Sequence, residues 1–235
     1  MKALILAAGL GSRIAPVTDN CPKSLVPVNG EPILFRQLDN LIGNGVEDIT
    51  VVSGYKAEVL EKAVKEKYPG IKIINSVDYA VTNNMYSAYL AKDEFYGKDF
   101  LMMNADVFFD SSVIKALLAF GSKNAIVTDT GFYAEESMKV TEENGRLTAI
   151  SKTISEKESL GCSIDVYKFS TEGSRAFFDK CREYIEEKKE LKKWSEVALN
   201  DILSQVVFTA CPVQGRWLEI DNHEDLAAAE KLFGN

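Results

Sequence analysis

Cysteine, histidine and net positive charge are all in short supply in this chain. The four cysteines, Cys21, Cys162, Cys181 and Cys211, are spaced too widely for a metal clip. So few thiols in 235 residues point to a reducing cytoplasm. The single histidine, His223, opens the last expected helix and reads as a surface or capping residue, not a catalytic base. The net charge of −8 repels a polyanion on average, which sets DNA and RNA aside as partners. A small anion can still bind where basic side chains cluster locally. No apolar run reaches the ~18 to 20 residues of a membrane span, so membrane insertion is not expected. Residues 1–9 look superficially like a secretion signal, but Gly9, Gly11 and Arg13 interrupt them early, and they read as a buried first strand. Repeats, low-complexity tracts and linkers are missing as well.

What is present is an alternation of short apolar runs with helix-period segments. Residues 2–7, 48–53, 71–75, 100–104 and 124–128 read as strands, with helices at 32–43, 57–67, 85–94 and 111–120. Strands separated by helices predict an α/β fold whose mostly parallel sheet is covered by helices on both faces. After about residue 130 the pattern changes. Residues 138–141 and 147–151 read as a hairpin with an Asn-Gly turn. A strand at 160–169, helices at 171–189 and 194–205, a strand at 208–212, a strand end at 217–221 and a helix at 223–232 follow. The expectation is one domain over 1–235, with residues 130–205 as a small antiparallel lid or insert over one edge of the site.

The strongest local signal is Leu6-Ala7-Ala8-Gly9-Leu10-Gly11-Ser12-Arg13, followed by Pro22-Lys23. A buried strand runs straight into a loop of small residues, where backbone N–H groups can approach and cradle phosphates. Arg13 and Lys23 add the charge that a polyphosphate needs. A P-loop is excluded because Gly11 is followed by Ser12-Arg13, and the dinucleotide fingerprint because Ile14 stands where a third small residue belongs. Its acidic ribose ligand is also missing, since the second strand ends in Ser53-Gly54.

Two carboxylates complete the pattern. Asp106 follows the apolar strand Leu101 to Asn104, at the sheet edge where open α/β folds bind ligands. Asp221 closes Glu219-Ile220-Asp221, just before a helix. Either acid alone could serve as a turn or cap residue. Beside the first loop, the reading that prevails is a shared hard cation such as Mg²⁺ that neutralises triphosphate charge.

Together these segments resemble the signature of the sugar-phosphate and phosphocholine nucleotidyltransferases. Gly54-Tyr55, Asn83-Asn84-Met85-Tyr86-Ser87, Asn104-Ala105-Asp106 and Glu219-Ile220-Asp221 continue the resemblance in order over nearly the whole chain. Asn83 to Ser87 looks most like the phosphocholine and aminophosphonate cytidylyltransferase branch. The resemblance implies a Rossmann-like fold of the nucleotidyltransferase A type. It implies that Leu6, Ala7, Ala8, Gly9, Gly11 and Ser12 hold the triphosphate and base, and that Arg13 and Lys23 act at the reacting centre. Gly54, Tyr55, Asn83, Asn84, Ser87 and Ala105 would border the nucleotide, and Asp106 and Asp221 would hold Mg²⁺. The implied partners are CTP and a small phosphorylated acceptor, with a homodimer left open.

The acceptor side follows the branch less closely. Ser137 stands where phosphocholine enzymes tend to carry a tryptophan; Trp194, Tyr167, Phe132 and Tyr133 are the remaining candidate cage walls. Glu135, Glu136 and Glu196 could meet an ammonium, and Lys139 and Lys152 an acceptor phosphate. Asp165 lies inside an apolar strand, which is costly unless it is paired or faces a polar cavity, so it is a candidate ligand for an amine or for hydroxyls. Four readings result. They are cytidylyl transfer to phosphocholine or an aminoalkyl phosphonate, nucleotidyl transfer to a sugar-1-phosphate or inositol phosphate, a non-catalytic nucleotide-binding domain, and a nicotinamide dehydrogenase. Intact Arg13, Lys23, Asp106 and Asp221 weigh against the third, and the loop pattern against the fourth.

Overall fold

A computed structural model describes residues 1–234. Its first strand, β1 (Lys2–Ala7), is buried at every position but the first. A chain of single 3₁₀ turns leads to the two-residue hairpin β2 (Pro27–Val28) and β3 (Glu31–Pro32), then α1 (Ile33–Gly43). The elements β4 (Asp48–Ser53), α2 (Ala57–Lys67) and β5 (Lys72–Asn75) follow. Next come α3 (Asn84–Leu90), α4 (Lys92–Phe95), β6 (Phe100–Asn104), β7 (Val107–Phe109), α5 (Ser112–Ala119) and β8 (Ala125–Thr130). The later part carries β9 (Lys139–Glu143), β10 (Arg146–Ser151), β11 (Gly161–Phe169), α6 (Thr171–Arg182) and α7 (Ser195–Ile202). It ends with β12 (Thr209–Pro212), β13 (Trp217–Glu219) and α8 (His223–Phe233).

Nine strands form one mixed sheet in the order β10-β9-β11-β6-β1-β4-β5, with β8 also on β11 and β12 on β8. The strands β6, β1, β4 and β5 are parallel. Alternation along β1 explains why both faces are covered. Ala3, Ile5 and Ala7 enter a core with Leu34, Leu38 and Leu41 of α1, whereas Leu4 and Leu6 enter a second core with Met85 of α3 and Phe177 of α6. The antiparallel strand β11 joins β6, and an aromatic stack seals that seam: Phe100 lies parallel to Phe169 at 4.8 Å between ring centroids.

The elements depart from the sequence expectation at several places, the short β2–β3 hairpin among them. The expected helix at 85–94 is two helices, because the last turn of α3 tightens at Ala91 N–H to the Ala88 carbonyl (3.0 Å). The expected helix at 171–189 ends at Arg182 and continues as one π turn over Glu183–Glu187. The strand β7 was not expected; it pairs with β13 in a separate ribbon of three residue pairs, too short to show a period of two. Among the described residues no helix is long and apolar enough to cross a membrane.

Phe100 is fully buried and also stacks on Phe178 at 5.8 Å, so truncation leaves a cavity at the sheet seam. Phe100→Ala is expected to lower stability by about 3–5 kcal/mol in urea unfolding. A loss below about 1 kcal/mol would show that the seam does not depend on this stack.

Candidate active site

The loop after β1 is shaped from behind by two glycines. Gly11 is left-handed (φ +61°), and a Cβ there would lie 2.7 Å from Cβ of Lys23. Thr18 donates its hydroxyl to the Gly11 carbonyl at 3.0 Å. A Cβ on Gly54 would lie 2.7 Å from both the Ala8 carbonyl oxygen and Cβ of Tyr79, so only glycine lets the end of β4 lie against the loop. Tyr55 braces the same loop: its N–H donates to the Ala8 carbonyl at 3.2 Å and its hydroxyl to the Thr18 carbonyl at 3.1 Å.

The acids are brought together by backbone pairing. In the β7–β13 ribbon Glu219 lies opposite Val107, and Ile220 N–H donates to the Asp106 carbonyl at 2.9 Å. Gln37 of α1 is fully buried and donates its amide to the carbonyls of Asn104 (2.9 Å) and Val107 (2.8 Å), on either side of Asp106. Asp110 fastens the far end of the ribbon by accepting from Arg216 Nε (2.9 Å) and Nη2 (3.0 Å) and from Arg36 Nη2 (3.2 Å). The Arg216 hydrogen bonds hold the Asp110 carboxyl below its ordinary range.

As a result Asp106, Glu219 and Asp221 place carboxylate oxygens within 4.8 Å of one another. Lys23 Nζ lies 2.9 Å from Asp106 Oδ2 and 2.6 Å from Asp221 Oδ1, and Arg13 Nη2 lies 2.9 Å from Asp221 Oδ2. Burial would lift the Asp221 carboxyl, but the charges of Lys23 and Arg13 outweigh it and hold it below the usual value. Burial would likewise lower Lys23, but Asp106 and Asp221 outweigh it and keep the ammonium protonated. Glu219 has no such partner. Burial, then the charges of Asp165, Asp106 and Asp221, push it up to about 9.

An oxygen-only ligand set fits a hard divalent cation, and the Oδ1 atom of Asp106 is buried without a hydrogen-bond partner among the described residues. Asp106, Glu219 and Asp221 would hold such an ion.

The other end of the same cleft, about 420 Å³ in volume, is built on β11 and α7. The ladder from β11 to β8 breaks between Ser163 and Tyr167, and Asp165 sits at the break with φ +57°. Its carboxylate accepts from Asn104 Nδ2 (2.9 Å) and from the Tyr167 hydroxyl (2.7 Å). Glu196, only 3% exposed, accepts from Ser195 Oγ at 3.1 Å and from Asn84 Nδ2 at 3.4 Å, and its Oε1 lies 3.1 Å from the Tyr167 hydroxyl, whose one proton it shares with Asp165. Burial, then the charges of Glu196 and Asp106, push Asp165 up to about 7 against the hydrogen bonds of Tyr167 and Asn104.

The cleft collects Leu6 through Arg13, Lys23, Asn83, Asn84, Ala105, Asp106, Lys152, Asp165, Trp194, Glu196 and Asp221. Five residues assigned to the site from sequence lie elsewhere. Gly54 and Tyr55 brace the loop from behind, as described, and Ser87 is buried in α3. Lys139 does not point from its strand into the cleft. It is 1% exposed, and its ammonium donates to the carbonyls of Glu135 (2.6 Å) and Ala134 (3.4 Å), tying down the preceding loop. Glu135 contributes that carbonyl, and its neighbours Glu136 and Ser137 line the cleft in its place. The lining also includes residues given no role from sequence: Glu219, Asn104, Ser24, Tyr79 and Thr82. Glu219 was within reach of sequence reasoning, because residues two apart in an extended segment share a face. His223 donates to the Ala15 carbonyl at 2.8 Å and supports the basic loop, while Asn222 caps α8.

Residues 2–233 match the model of the nucleotidyl transferase family, and the chain belongs to that family. It is 47% identical over 94 residues to the choline-phosphate cytidylyltransferase of Streptococcus pneumoniae, a match covering 40% of each protein. The matches to the next relatives, too, cover only 20% and 51% of those proteins. Over 98% of the chain it is 28% identical to the UTP–glucose-1-phosphate uridylyltransferase AglF of Haloferax volcanii, of which 96% is covered. The solved structure of the CTP:phosphocholine cytidylyltransferase LicC of Streptococcus pneumoniae shares the fold, with a TM-score of 0.81 and 24% identity over 98% of this chain and 97% of that one.

Asp165 supplies a pH test. An unfolded aspartate titrates near ~3.9, so between there and about 7 the folded protein holds the extra proton, and stability falls as pH rises through that window. Glu196, Asp106 and Tyr167 are the charged or titratable groups behind the shift. Asn tolerates the left-handed backbone, so Asp165→Asn is the clean substitution. In chelator-treated protein the variant is expected to gain stability relative to the wild type between pH 5 and pH 8, read as urea midpoints. A difference independent of pH would remove Asp165 as the titrating group.

Proposed function

We propose that this chain is a Mg²⁺-dependent cytidylyltransferase that moves CMP from CTP to a small amine-bearing phosphate or phosphonate and releases pyrophosphate. The observation that carries the reading is one cleft with two unlike sets of acids. At one end Asp106 and Asp221 are paired with Lys23 and Arg13 beside a glycine loop. At the other, Asp165 and Glu196 have no ion-pair partner among the described residues and are held only by neutral donors. The first set suits a triphosphate and its metal; the second suits a cationic headgroup.

In the reaction an acceptor oxygen bonds to the α-phosphorus as the bond from that phosphorus to the pyrophosphate oxygen breaks. A phosphate monoester loses its second proton at about pH 6, so the nucleophile is already ionised and no general base is needed. The barrier is repulsion between two anions and their alignment. Backbone N–H groups of the loop hold the triphosphate, and Lys23 and Arg13 neutralise charge where the bond changes hands. Asp106, Glu219 and Asp221 would hold a divalent cation such as Mg²⁺, which would supply further positive charge at this end of the cleft. Support for CTP as donor comes from the choline-phosphate relative and from the asparagines Asn83 and Asn84 in the cleft. A second reading, transfer to a sugar-1-phosphate or inositol phosphate, has the nearly full-length match to AglF in its favour.

The test is pyrophosphate release with Mg²⁺. CTP, UTP, dTTP, ATP and GTP are each paired with phosphocholine, phosphoethanolamine, 2-aminoethylphosphonate, glycerol phosphate, inositol phosphate and hexose-1-phosphates. The expected result is turnover with CTP and an amine-bearing acceptor; turnover confined to sugar or inositol phosphates would replace the proposal with the second reading. In the active pair, Lys23→Ala is expected to cut kcat by roughly 10²- to 10³-fold with a smaller effect on KM for CTP. An unchanged kcat would move Lys23 away from the reacting phosphate.

A further inference from the structure

We infer that the acceptor end of this cleft selects an ammonium that still carries N–H bonds over a quaternary one, with Glu196 and Tyr167 as the residues that discriminate. The inference rests on the cytidylyltransferase reading and narrows its acceptor. It starts from a shortage of protons. The Tyr167 ring is fully buried, and its hydroxyl lies 2.7 Å from Asp165 Oδ1 and 3.1 Å from Glu196 Oε1. One hydroxyl has one proton, so it can satisfy one of these acids and leaves an oxygen facing an oxygen at the other. Glu196 Oε2 has only the long 3.4 Å contact from Asn84 Nδ2, and Glu196 lines the cleft. With Ser195 Oγ on Glu196 and Asn104 Nδ2 on Asp165 counted, two acids facing one cleft still lack a positive charge and share a single tyrosine proton.

An ammonium with N–H bonds supplies both charge and donors. A trimethylammonium supplies charge but no donor, and it is normally held against aromatic faces. Those faces are not assembled at this end. Two aromatic residues line the cleft, Tyr79 and Trp194. Tyr79 packs edge-on against Tyr55 at 6.2 Å, and a Cβ added to Gly54 would lie 2.7 Å from both Tyr79 Cβ and the Ala8 carbonyl oxygen, which places Tyr79 at the triphosphate end. Trp194 already has the Lys152 ammonium 5.0 Å over its ring. Lys152 also lines the cleft and its charge reaches Asp221, which gives the acceptor's anionic group a partner while its amine meets the acids. A neutral hydroxyl could donate but would bring no positive charge to the two acids.

The experiment is a methylation series with the full chain, CTP and Mg²⁺: phosphoethanolamine, its N-methyl and N,N-dimethyl forms, and phosphocholine. The efficiency kcat/KM is expected to fall at each methylation, by roughly 100-fold or more across the series, because a site built to accept hydrogen bonds rejects the analogue that cannot donate them. Glu196→Met, checked for a native melting transition and an unchanged KM for CTP, is expected to draw the phosphoethanolamine-to-phosphocholine ratio towards one. Tyr167→Phe removes that shared donor and leaves both acids in place, so it is expected to widen the ratio in favour of phosphoethanolamine. Efficiency that stays level or rises with methylation overturns the inference and leaves cytidylyl transfer standing. No turnover with any amine, alongside turnover of hexose or inositol phosphates, overturns both. A wild-type ratio in folded Glu196→Met removes Glu196 as the selecting residue.

Discussion

Like charges must be held together before this cleft can act, and a short backbone ribbon does the holding. Asp106, Glu219 and Asp221 repel one another, so side-chain preference alone would scatter them. The β7–β13 ladder, with the Ile220 to Asp106 hydrogen bond beyond it, fixes their main chains regardless. Gln37 and the Asp110–Arg216–Arg36 cluster anchor that ribbon from outside the cleft. Repulsion that cannot be relieved by movement is relieved by protons and cations instead. Lys23 and Arg13 attend Asp221, and Glu219, left without a cation, holds its proton. Any divalent ion entering there meets a prepared set of oxygens and must compete with Lys23 for two of them.

The other constraint is the change of strand direction at β11. A parallel sheet alone would close the cleft on one side with the ends of β1, β4 and β6. By adding an antiparallel strand next to β6, the fold brings Asp165 and Tyr167 beside Asn104 and so joins the acceptor wall to the strand that leads to Asp106. The break in the β11–β8 ladder turns Asp165 out of the strand's regular alternation, which is why an acid can stand in an otherwise apolar run. Such an acid with a left-handed backbone works against stability.

The placement of residues that depends on local backbone was legible in the sequence. The glycine loop, Arg13, Lys23, Asp106 and Asp221 all follow strand ends or precede helices, and they converge in one cleft. The parallel core was legible for the same reason, since each of its strands is long enough to show its pattern. What stayed hidden depends on contacts between distant segments. Three residue pairs are too few to declare β7 and β13, and nothing in the Gln37 neighbourhood indicates that its amide reaches residues 104 and 107. Lys139 illustrates the opposite failure. Alternation placed it on a strand face correctly enough, but a buried ammonium seeks carbonyls, and the turn at Ala134 and Glu135 supplies them first.

The two ends of the cleft therefore solve different problems with the same type of side chain. On the proposed nucleotidyl transfer, the bond to be made at the reacting end joins two anions, so acids there are useful only as holders of positive charge, and each paired acid there binds a cation. A single histidine in the chain, engaged with the Ala15 carbonyl, is no handicap, because an ionised phosphate or phosphonate needs no base. At the acceptor end, on the same proposed reading, the acids would meet a group that takes no part in bond making, and their task would be to accept hydrogen bonds. Charge alone would draw any cation into that end. The count of donors, set by one shared tyrosine proton and a long asparagine contact, is what can tell one ammonium from another.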